Sequence, residues 1–297
     1  MNLSVTVTFN YKRTKYMKNI LKNLVSLFIN SFLNMINKFS YGRFINEQII
    51  MGVVNRVSVV KHSNVSLKLA VPNHICSIRA NTFSSKEPET LAWIDNLKEN
   101  SIVWDIGANV GLYSCYAAKK LNCRVFAFEP SVFNLEFLAR NINLNNLSDL
   151  VTIIPVPLTN EIAINKLNMS STNWGGAMST FGQSFGHDGL VLDKVFVMPT
   201  FGISMEDAVN LLKIPQPDYI KMDVDGIEHL ILSGGKCVLN NAKAIIIEIN
   251  DHFDVQSKES DFYLREAGFQ LQEKLHASYF DSVDSAARYT FNQIWTK

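Results

Sequence analysis

The sequence predicts an α/β protein built on an open, mostly parallel sheet. Residues 102–106 form a short apolar run that breaks at Gly107, and residues 217–228 repeat the arrangement as an apolar strand that ends in an acidic glycine turn. Between them, residues 124–128 form another apolar run. Short buried strands that alternate with helices are typical of parallel sheets flanked by helices, and such sheets bind ligands at the carboxyl ends of their strands.

The other elements complete a plan of seven strands. Helices are predicted to begin near Pro88, Gly111 and Ser131, and a further helix is predicted over 228–239. The remaining strands are predicted at 151–156, 244–250, 269–275 and 289–295. A chain of 297 residues with 47% apolar residues suits one well-filled domain of this class with an extension.

The first glycine turn predicts a nucleoside site. Gly107 and Gly111 lack a Cβ and let the backbone come close to a ligand, and Ala108 and Asn109 lie between them. The helix that follows points its free N–H groups at the crevice. Glu129 ends the next strand, where its carboxylate can accept hydrogen bonds from both ribose hydroxyls.

Two nucleoside ligands fit this arrangement, and an acidic residue in the turn favours one of them over the other. A dinucleotide site needs Gly-x-Gly-x-x-Gly, whereas this turn is Asp-x-Gly-x-x-x-Gly and begins at Asp105. The negative charge of Asp105 would repel a pyrophosphate and attract the ammonium and sulfonium groups of S-adenosylmethionine. We therefore expect S-adenosylmethionine as the cofactor, and an NAD-dependent oxidoreductase is the alternative.

The end of the third strand predicts the adenine contact. Thr159 and Asn160 follow that strand, and polar groups there could bind the exocyclic amine. Asn160 is equally well explained as an ordinary turn residue.

Two acids at the same edge of the sheet are candidate catalytic residues. Asp223 follows the fourth strand, where a carboxylate would lie beside the transferable methyl group and take a proton from a nucleophile. Glu248 lies inside the apolar fifth strand, where an acid without a partner would be costly, so a salt-bridged structural role is its alternative. His252, just beyond, is a further candidate base. Asp225 and Glu228 are expected at a helix N-terminus, where the dipole favours acids without catalysis.

Residues 161–200 interrupt the alternation of strands and helices. They are rich in glycine, aromatic and small polar residues, and we expect a long irregular loop, which in compact domains is usually functional. Trp174 is a candidate platform for the face of a sugar. A surface loop whose aromatic side chains fold back on the core explains the segment equally well.

Charge and cysteine content exclude several classes of protein. The 28 basic and 27 acidic residues give a net charge of +1, so no nucleic-acid partner is expected. The four cysteines are widely spaced and match neither a zinc site nor a disulfide framework, which fits the cytoplasm. Asp223, Asp225 and Glu248 could offer oxygen ligands to magnesium, but a hard cation beside a sulfonium adds like charge, and we expect no metal.

The first 83 residues are predicted to form an extension, and residues 84–297 the nucleoside-binding domain. Apolar residues recur mostly at every fourth position over residues 18–40, which predicts an amphipathic helix interrupted by lysine and asparagine. We do not expect it to span a membrane. Packing on the domain or on a partner subunit is one explanation, and a basic helix resting on the inner face of a membrane is the other. A hairpin around residues 62–64 is expected as a lid or cap before the core.

Four segments together resemble the FkbM-type methyltransferases: residues 105–114, 128–130, 220–228 and 291–295. The resemblance covers residues 84–297, and the amino-terminal 80 residues match nothing in the family. It implies a class I methyltransferase fold, Rossmann-like, with strand order 3-2-1-4-5-7-6 and the last-placed strand antiparallel.

The resemblance also implies S-adenosylmethionine as the methyl donor and a hydroxyl of a sugar, glycan or secondary metabolite as the acceptor. Its motifs assign Asp105, Gly107, Asn109 and Gly111 to the donor loop, Glu129 to the ribose and Asp223 to the active-site acid. Asp225 stands where the family commonly has glutamate. We therefore expect an O-methyltransferase, and a catalytically silent scaffold of the same fold is a second alternative.

Overall fold

The structure is a computed structural model that describes residues 3–276 and 286–297. The chain divides into two compact units, the first ending at Arg56 and the second beginning at Val57.

The smaller unit consists of two helices, α1 (Leu3–Ile36) and α2 (Ser40–Val54). Gly42 lies against the backbone of Ile36, and a Cβ there would come within 1.7 Å of its carbonyl oxygen, so the glycine allows the close turn between the helices. Within the described ranges, none of the helices combines the length and apolarity that a bilayer-crossing segment requires.

The larger unit holds the remaining elements. Its helices are α3 (His74–Asn81), α4 (Pro88–Asp95), α5 (Leu112–Leu121), α6 (Val132–Leu144), α7 (Met205–Asn210), α8 (Glu228–Ser233), α9 (Lys236–Asn241) and α10 (Asp254–Glu266), with a 3-10 turn at Ala286–Tyr289. Its strands are β1 (Val57–His62), β2 (Val65–Ala70), β3 (Ile102–Ile106), β4 (Arg124–Phe128), β5 (Val151–Ile154), β6 (Leu158–Thr159), β7 (Ala163–Met169), β8 (Ser179–Phe181), β9 (Phe196–Ser204), β10 (Tyr219–Met222), β11 (Ala244–Asn250), β12 (Gln270–Leu275) and β13 (Thr290–Thr296).

Seven strands form the central sheet in the order β12-β13-β11-β10-β3-β4-β5. Strands β5, β4, β3, β10 and β11 pair in parallel, and β13 runs antiparallel to both of its neighbours. Numbered by chain order within the sheet, the strands follow 3-2-1-4-5-7-6. The apolar side chains of the inner strands are buried on both faces, among them Trp104 and Ile245. The predicted α/β class with a mostly parallel seven-stranded sheet is confirmed.

The hairpin of β1 and β2 packs on the helical layer of the larger unit. Leu67 and Leu69 are buried, and the side-chain amides of α6 replace the missing strand partners of β2. Asn141 Oδ1 accepts a hydrogen bond from the backbone N–H of Ala70 at 2.7 Å, and Asn145 Oδ1 accepts one from Lys68 N at 3.0 Å. The hairpin is therefore fastened to α6 by these hydrogen bonds and does not form the lid expected from the sequence. The compact unit accordingly begins at Val57, whereas the sequence pattern predicts a division at residue 84.

Residues 161–200 are not an irregular loop. Strands β7, β8 and β9 form an antiparallel sheet that β6 extends. One face of this inserted sheet is apolar, because Leu167, Met169, Phe181 and Ile203 are buried in the main core. The predicted helix over 228–239 is also divided, into α8 and α9.

Asn141 provides a test of the attachment of the β1–β2 hairpin to α6. Its Nδ2 donates to the carbonyl of Val110 at 2.8 Å, so Asn141→Ala leaves that carbonyl and the Ala70 N–H buried without their partner. We expect a loss of about 3 kcal/mol in the free energy of unfolding, measured by urea titration. Asn143→Ala, at an exposed position of the same helix, is the control and should cost less than about 0.5 kcal/mol. Equal losses in the two variants would contradict the role of Asn141 in fastening the hairpin to α6.

Candidate active site

A cleft opens where the parallel strands end. Its walls come from the turns after β3, β4 and β10, from β11 and β13, and from the inserted sheet. The residues that matter to its chemistry are Gly107, Asn109, Glu129, Asn134, Asp223, Asp225, His187, Glu248 and Asn292, with Phe128, Val156 and Leu158 as apolar lining. A smaller cavity adjoins it and shares Gly107, Asn109, Asp223, Arg79 and Lys86.

The glycine turn holds the two strands of the cleft close together. Gly107 has a φ of +83°, and a Cβ there would lie 1.8 Å from the carbonyl oxygen of Asp223. The backbone N–H groups of Gly107 and Ala108 both donate to the Phe128 carbonyl at 3.0 Å. Gly107 and Asn109 line the cleft, and Ala108 lines the smaller cavity. Gly111 lines neither and instead begins α5 with a φ of +78°.

Glu129 lies at the end of β4 and is 5% exposed. Its carboxylate accepts hydrogen bonds from the backbone N–H of Asn109 at 2.7 Å and of Ser131 at 2.8 Å. Burial raises the pKa of Glu129 to about 7, although these hydrogen bonds favour the charged form. The turn thus fixes a carboxyl group in the wall of the cleft with little freedom to rotate.

Asp105 is buried behind the cleft. Its Oδ2 accepts a hydrogen bond from Ser114 Oγ at 2.5 Å, and its Oδ1 lies 3.4 Å from Lys221 Nζ. Among the described residues Asp105 lines neither cavity, so it does not present its charge to a ligand as the turn motif predicts. The carboxylate of Asp105 instead pairs with Lys221, whose ammonium also lies beside Asp223 in the cleft.

Lys221 is the buried cation of the site. Its Nζ lies 3.6 Å from Asp223 Oδ2 as well as beside Asp105. Burial alone would lower the pKa of Lys221, but the carboxylates of Asp105, Asp223 and Glu87 raise it above its usual value, so the ammonium remains charged. Sequence reasoning missed this residue, although a lysine inside an apolar strand was a visible signal.

The smaller cavity carries both signs of charge. Glu87 is buried, and its carboxylate accepts hydrogen bonds from Lys86 Nζ at 2.5 Å and Tyr113 OH at 3.0 Å. Burial would raise the pKa of Glu87, but the ammonium groups of Lys86 and Lys221 lower it. Arg79 lines the same cavity and donates through Nε to the carbonyl of Gly175 at 2.8 Å. Sequence reasoning also missed these residues of α3 and the start of α4.

Asp223 and Glu248, the two predicted catalytic acids, both line the cleft. The side chain of Asp223 is 31% exposed and forms the ion pair with Lys221. Glu248 is half-buried, and burial together with the carboxylates of Asp223 and Glu87 raises its pKa well above the usual value. Glu248 therefore favours its protonated form more strongly than an exposed carboxyl group does.

Asp225 and Glu228 organise the turn that carries Asp223. Asp225 accepts hydrogen bonds from the backbone N–H groups of Met178 at 2.7 Å and Ser179 at 3.1 Å, which fastens the inserted sheet to the turn. Glu228 is fully enclosed and accepts from Val224 N and Gly226 N, each at 3.1 Å. Burial raises the pKa of Glu228 to about 7.

Several other predicted contacts lie outside the cleft. Thr159 Oγ1 donates to Asn160 Oδ1 at 3.2 Å, and neither residue is part of the described lining, where Val156 and Leu158 take the adjacent places. His252 is stacked on Tyr289 with ring centroids 3.5 Å apart.

Trp174 is not a platform in the cleft. Its ring packs on Phe137 with centroids 4.9 Å apart, and its carbonyl accepts a hydrogen bond from Asn73 Nδ2 at 2.9 Å. The interpretation in which the aromatic residue folds back on the core is therefore the better one. Among the described residues, no group of three or more His, Cys, Asp or Glu side chains could hold a metal ion.

A cleft at the carboxyl ends of the strands of a 3-2-1-4-5-7-6 sheet is typical of the Rossmann-like methyltransferase fold. The family model of the methyltransferase FkbM domain matches residues 105–271, more than half of the chain. The chain therefore belongs to the FkbM methyltransferase family, as the sequence motifs indicated.

Two curated relatives share parts of the sequence. The hexuronic acid methyltransferase AglP of Haloferax volcanii is 27% identical over 180 residues, which cover 59% of this chain and 65% of that protein. The methyltransferase sdnD of Sordaria araneosa is 41% identical over 54 residues, which cover 18% of this chain and 21% of that protein. The chain thus spans about two thirds of the first relative and about a fifth of the second.

Solved structures of similar shape are more distant. A precorrin-6y C5,15-methyltransferase from Geobacter metallireducens has 15% identity and a TM-score of 0.42, covering 71% of this chain and 86% of its own. M. jannaschii TYW2 in complex with AdoMet has 15% identity and a TM-score of 0.43, covering 80% of this chain and 84% of its own. Likenesses at this level carry no functional information.

Removal of the buried cation tests the charge balance of the site. Lys221→Met leaves Asp105 buried without a countercharge, and we expect a loss of about 3–5 kcal/mol in the free energy of unfolding at neutral pH. Lys243→Met is the control, because Lys243 forms an exposed ion pair with Asp218 that is worth less than about 1 kcal/mol. Urea titration of both variants is the measurement. Similar losses in stability would show that Asp105 does not need Lys221 as its countercharge.

Proposed function

We propose that this protein transfers a methyl group from S-adenosylmethionine to a hydroxyl group of a sugar, a glycan or a related secondary metabolite. The observation that carries the proposal is the position of Asp223. It lines both the main cleft and the smaller cavity, and it is paired with the buried ammonium of Lys221. A carboxylate held at the junction of two binding cavities can orient a hydroxyl and accept its proton.

The donor would occupy the glycine turn and the smaller cavity. Glu129 offers fixed carboxylate oxygens to ribose hydroxyls, and the apolar side chains of Phe128, Val156 and Leu158 suit an adenine ring. A zwitterionic amino-acid tail fits the smaller cavity, where Lys86 and Arg79 can face its carboxylate and Glu87 its ammonium. S-adenosylmethionine, when bound, supplies an electrophilic methyl group on a sulfonium.

The chain's own contribution to the reaction is positioning and proton transfer. Asp223 accepts the hydroxyl proton, and the Lys221 ammonium stabilises the carboxylate until that moment. Burial and the neighbouring carboxylates raise the pKa of Glu248, so its protonated form can donate a hydrogen bond to the acceptor. The inserted sheet and the β13 residues Thr290 and Asn292 exclude water around the acceptor.

A polyhydroxylated acceptor fits the composition of the wider cleft. Polar and charged side chains from several helices, strands and turns line it, and Asn292 Nδ2 donates to Glu89 Oε1 at 2.8 Å within that wall. The curated relative AglP is, by its description, a hexuronic acid methyltransferase.

Asp223→Asn tests the assignment of the base. It keeps the shape of the side chain but cannot take a proton, so turnover should fall by a factor of about 100 or more while S-adenosylhomocysteine affinity changes less than about threefold. Release of S-adenosylhomocysteine is measured with a panel of uronic acids and neutral glycosides in the presence of EDTA. Asp251→Asn, at a surface ion pair, is the control. Full turnover in Asp223→Asn would reject the base, and no turnover by the unmodified chain with any acceptor would favour a silent scaffold.

The titration of Glu129 predicts a pH-dependent affinity for the donor. Ribose hydroxyls bind the carboxylate form, and the free group has a pKa of about 7, so affinity should rise from about pH 6 to about pH 8 and then level off. Calorimetry with S-adenosylhomocysteine measures this profile. Glu129→Gln removes the titration and should give a weaker and flatter profile. An unchanged profile in Glu129→Gln would contradict the ribose contact.

A further inference from the structure

The smaller unit presents an apolar surface that the proposed reaction does not use. From Met17 to Val53, large apolar side chains of α1 and α2 are exposed: Leu27 is 65% exposed, Phe28 74% and Tyr41 82%. Single exposed apolar residues are common, but a run along two helices marks a surface that contacts another apolar phase.

Most of the exposed apolar residues of α1 share one broad side of the helix. Leu21, Leu24, Phe28 and Phe32 follow one another at spacings of three or four residues, which places them on one broad face. The opposite side is mostly polar, with Lys22, Asn23, Ser26, Asn30 and Asn34, and Leu33 interrupts it. This arrangement is typical of a helix that lies between an apolar and an aqueous phase.

Positive charge is concentrated in the unit that carries this surface, and residues 17–54 hold four of its basic residues. Residues 1–56 contain eight lysines and arginines and a single acid, Glu47. Since the whole chain has 28 basic and 27 acidic residues, residues 57–297 hold 20 basic and 26 acidic ones. The nearly neutral total therefore conceals a strongly basic amino-terminal unit and an acidic larger unit.

We propose that residues 17–54 dock this protein on the surface of an anionic lipid bilayer. The apolar face enters the boundary between headgroups and acyl chains, and Lys22, Lys38 and Arg43 contact lipid phosphates. The inference goes beyond methyl transfer and does not depend on it.

Charge distinguishes this occupant from a second copy of the chain. A symmetric dimer formed through these helices would bring the same basic residues of both copies together, and their repulsion opposes association. An anionic lipid surface neutralises them instead. The polar residues Asn23, Asn30 and Asn34 favour a helix at the interface over one inside the hydrocarbon, because only at the interface does their face remain in water.

Vesicle sedimentation of the full chain tests the proposal. Vesicles of phosphatidylcholine alone are compared with vesicles containing about 30% phosphatidylglycerol, at about 0.05 M and 0.5 M NaCl. We expect the chain to sediment with the anionic vesicles, to bind neutral vesicles at least about tenfold more weakly, and to be released from the anionic ones by salt.

Matched variants separate charge from apolar contact. Lys22→Glu with Lys38→Glu should weaken binding to anionic vesicles by a factor of about 30 or more, since each lysine contributes roughly fivefold. Lys236→Glu with Lys258→Glu makes the same charge change at exposed positions of the larger unit and should have little effect. Phe28→Ser with Phe32→Ser should weaken binding to both kinds of vesicle. Helical content and S-adenosylhomocysteine affinity confirm that each variant is folded.

Two results would overturn the proposal. One is binding that is equal for neutral and anionic vesicles and unaffected by Lys22→Glu with Lys38→Glu. The other is no vesicle binding together with a dimer in light scattering that Phe28→Ser with Phe32→Ser dissociates, which would assign the surface to self-association.

Discussion

The ion pair between Lys221 and Asp105 is the constraint on which the cleft depends. The two residues lie directly opposite each other in the parallel register of β10 and β3, and both are buried. Charges at this depth are tolerated only when they are paired, because desolvation of an isolated ion costs several kcal/mol. The pair therefore requires β3 and β10 to be neighbours, and it links the order of the sheet to the chemistry at its edge.

The same lysine gives two acids of one cleft different electrostatic surroundings. Asp223 has the ammonium of Lys221 beside it, whereas Glu248 receives no hydrogen bond among the described residues and faces other carboxylates. One acid thus has a countercharge beside it, whereas burial and neighbouring carboxylates raise the pKa of the other.

The predictable part of the fold and site is the part encoded by local pattern. Apolar runs that break at glycine locate the central strands, and strand ends locate Gly107, Glu129 and Asp223. The inserted sheet resembles a loop in sequence because much of it is exposed and its alternation is interrupted by Asn, Gly and Ser. Glu87 and Arg79 could not be predicted, because α3 and the start of α4 reach the cleft only through long-range packing. The local periodicity of apolar residues carries no signal of that packing.

The location of Asp105 shows the same limit at a single residue. The local motif predicts that its carboxylate faces the ligand, but the structure turns it toward Lys221, which lies more than a hundred residues away in the chain. A charge that is paired across two strands cannot be recognised from either strand alone.

Asp225 fastens the inserted sheet to the turn after β10 through contacts with the main chain alone. Its carboxylate holds the inserted sheet through the main-chain N–H groups of Met178 and Ser179, so the attachment does not depend on which side chains these residues carry. Substitution of Ser179, which lies in the lining of the cleft, can reshape this wall without detaching it from the turn that bears Asp223. Met178 is more restricted, because its φ of +63° is a backbone conformation that few side chains adopt without strain.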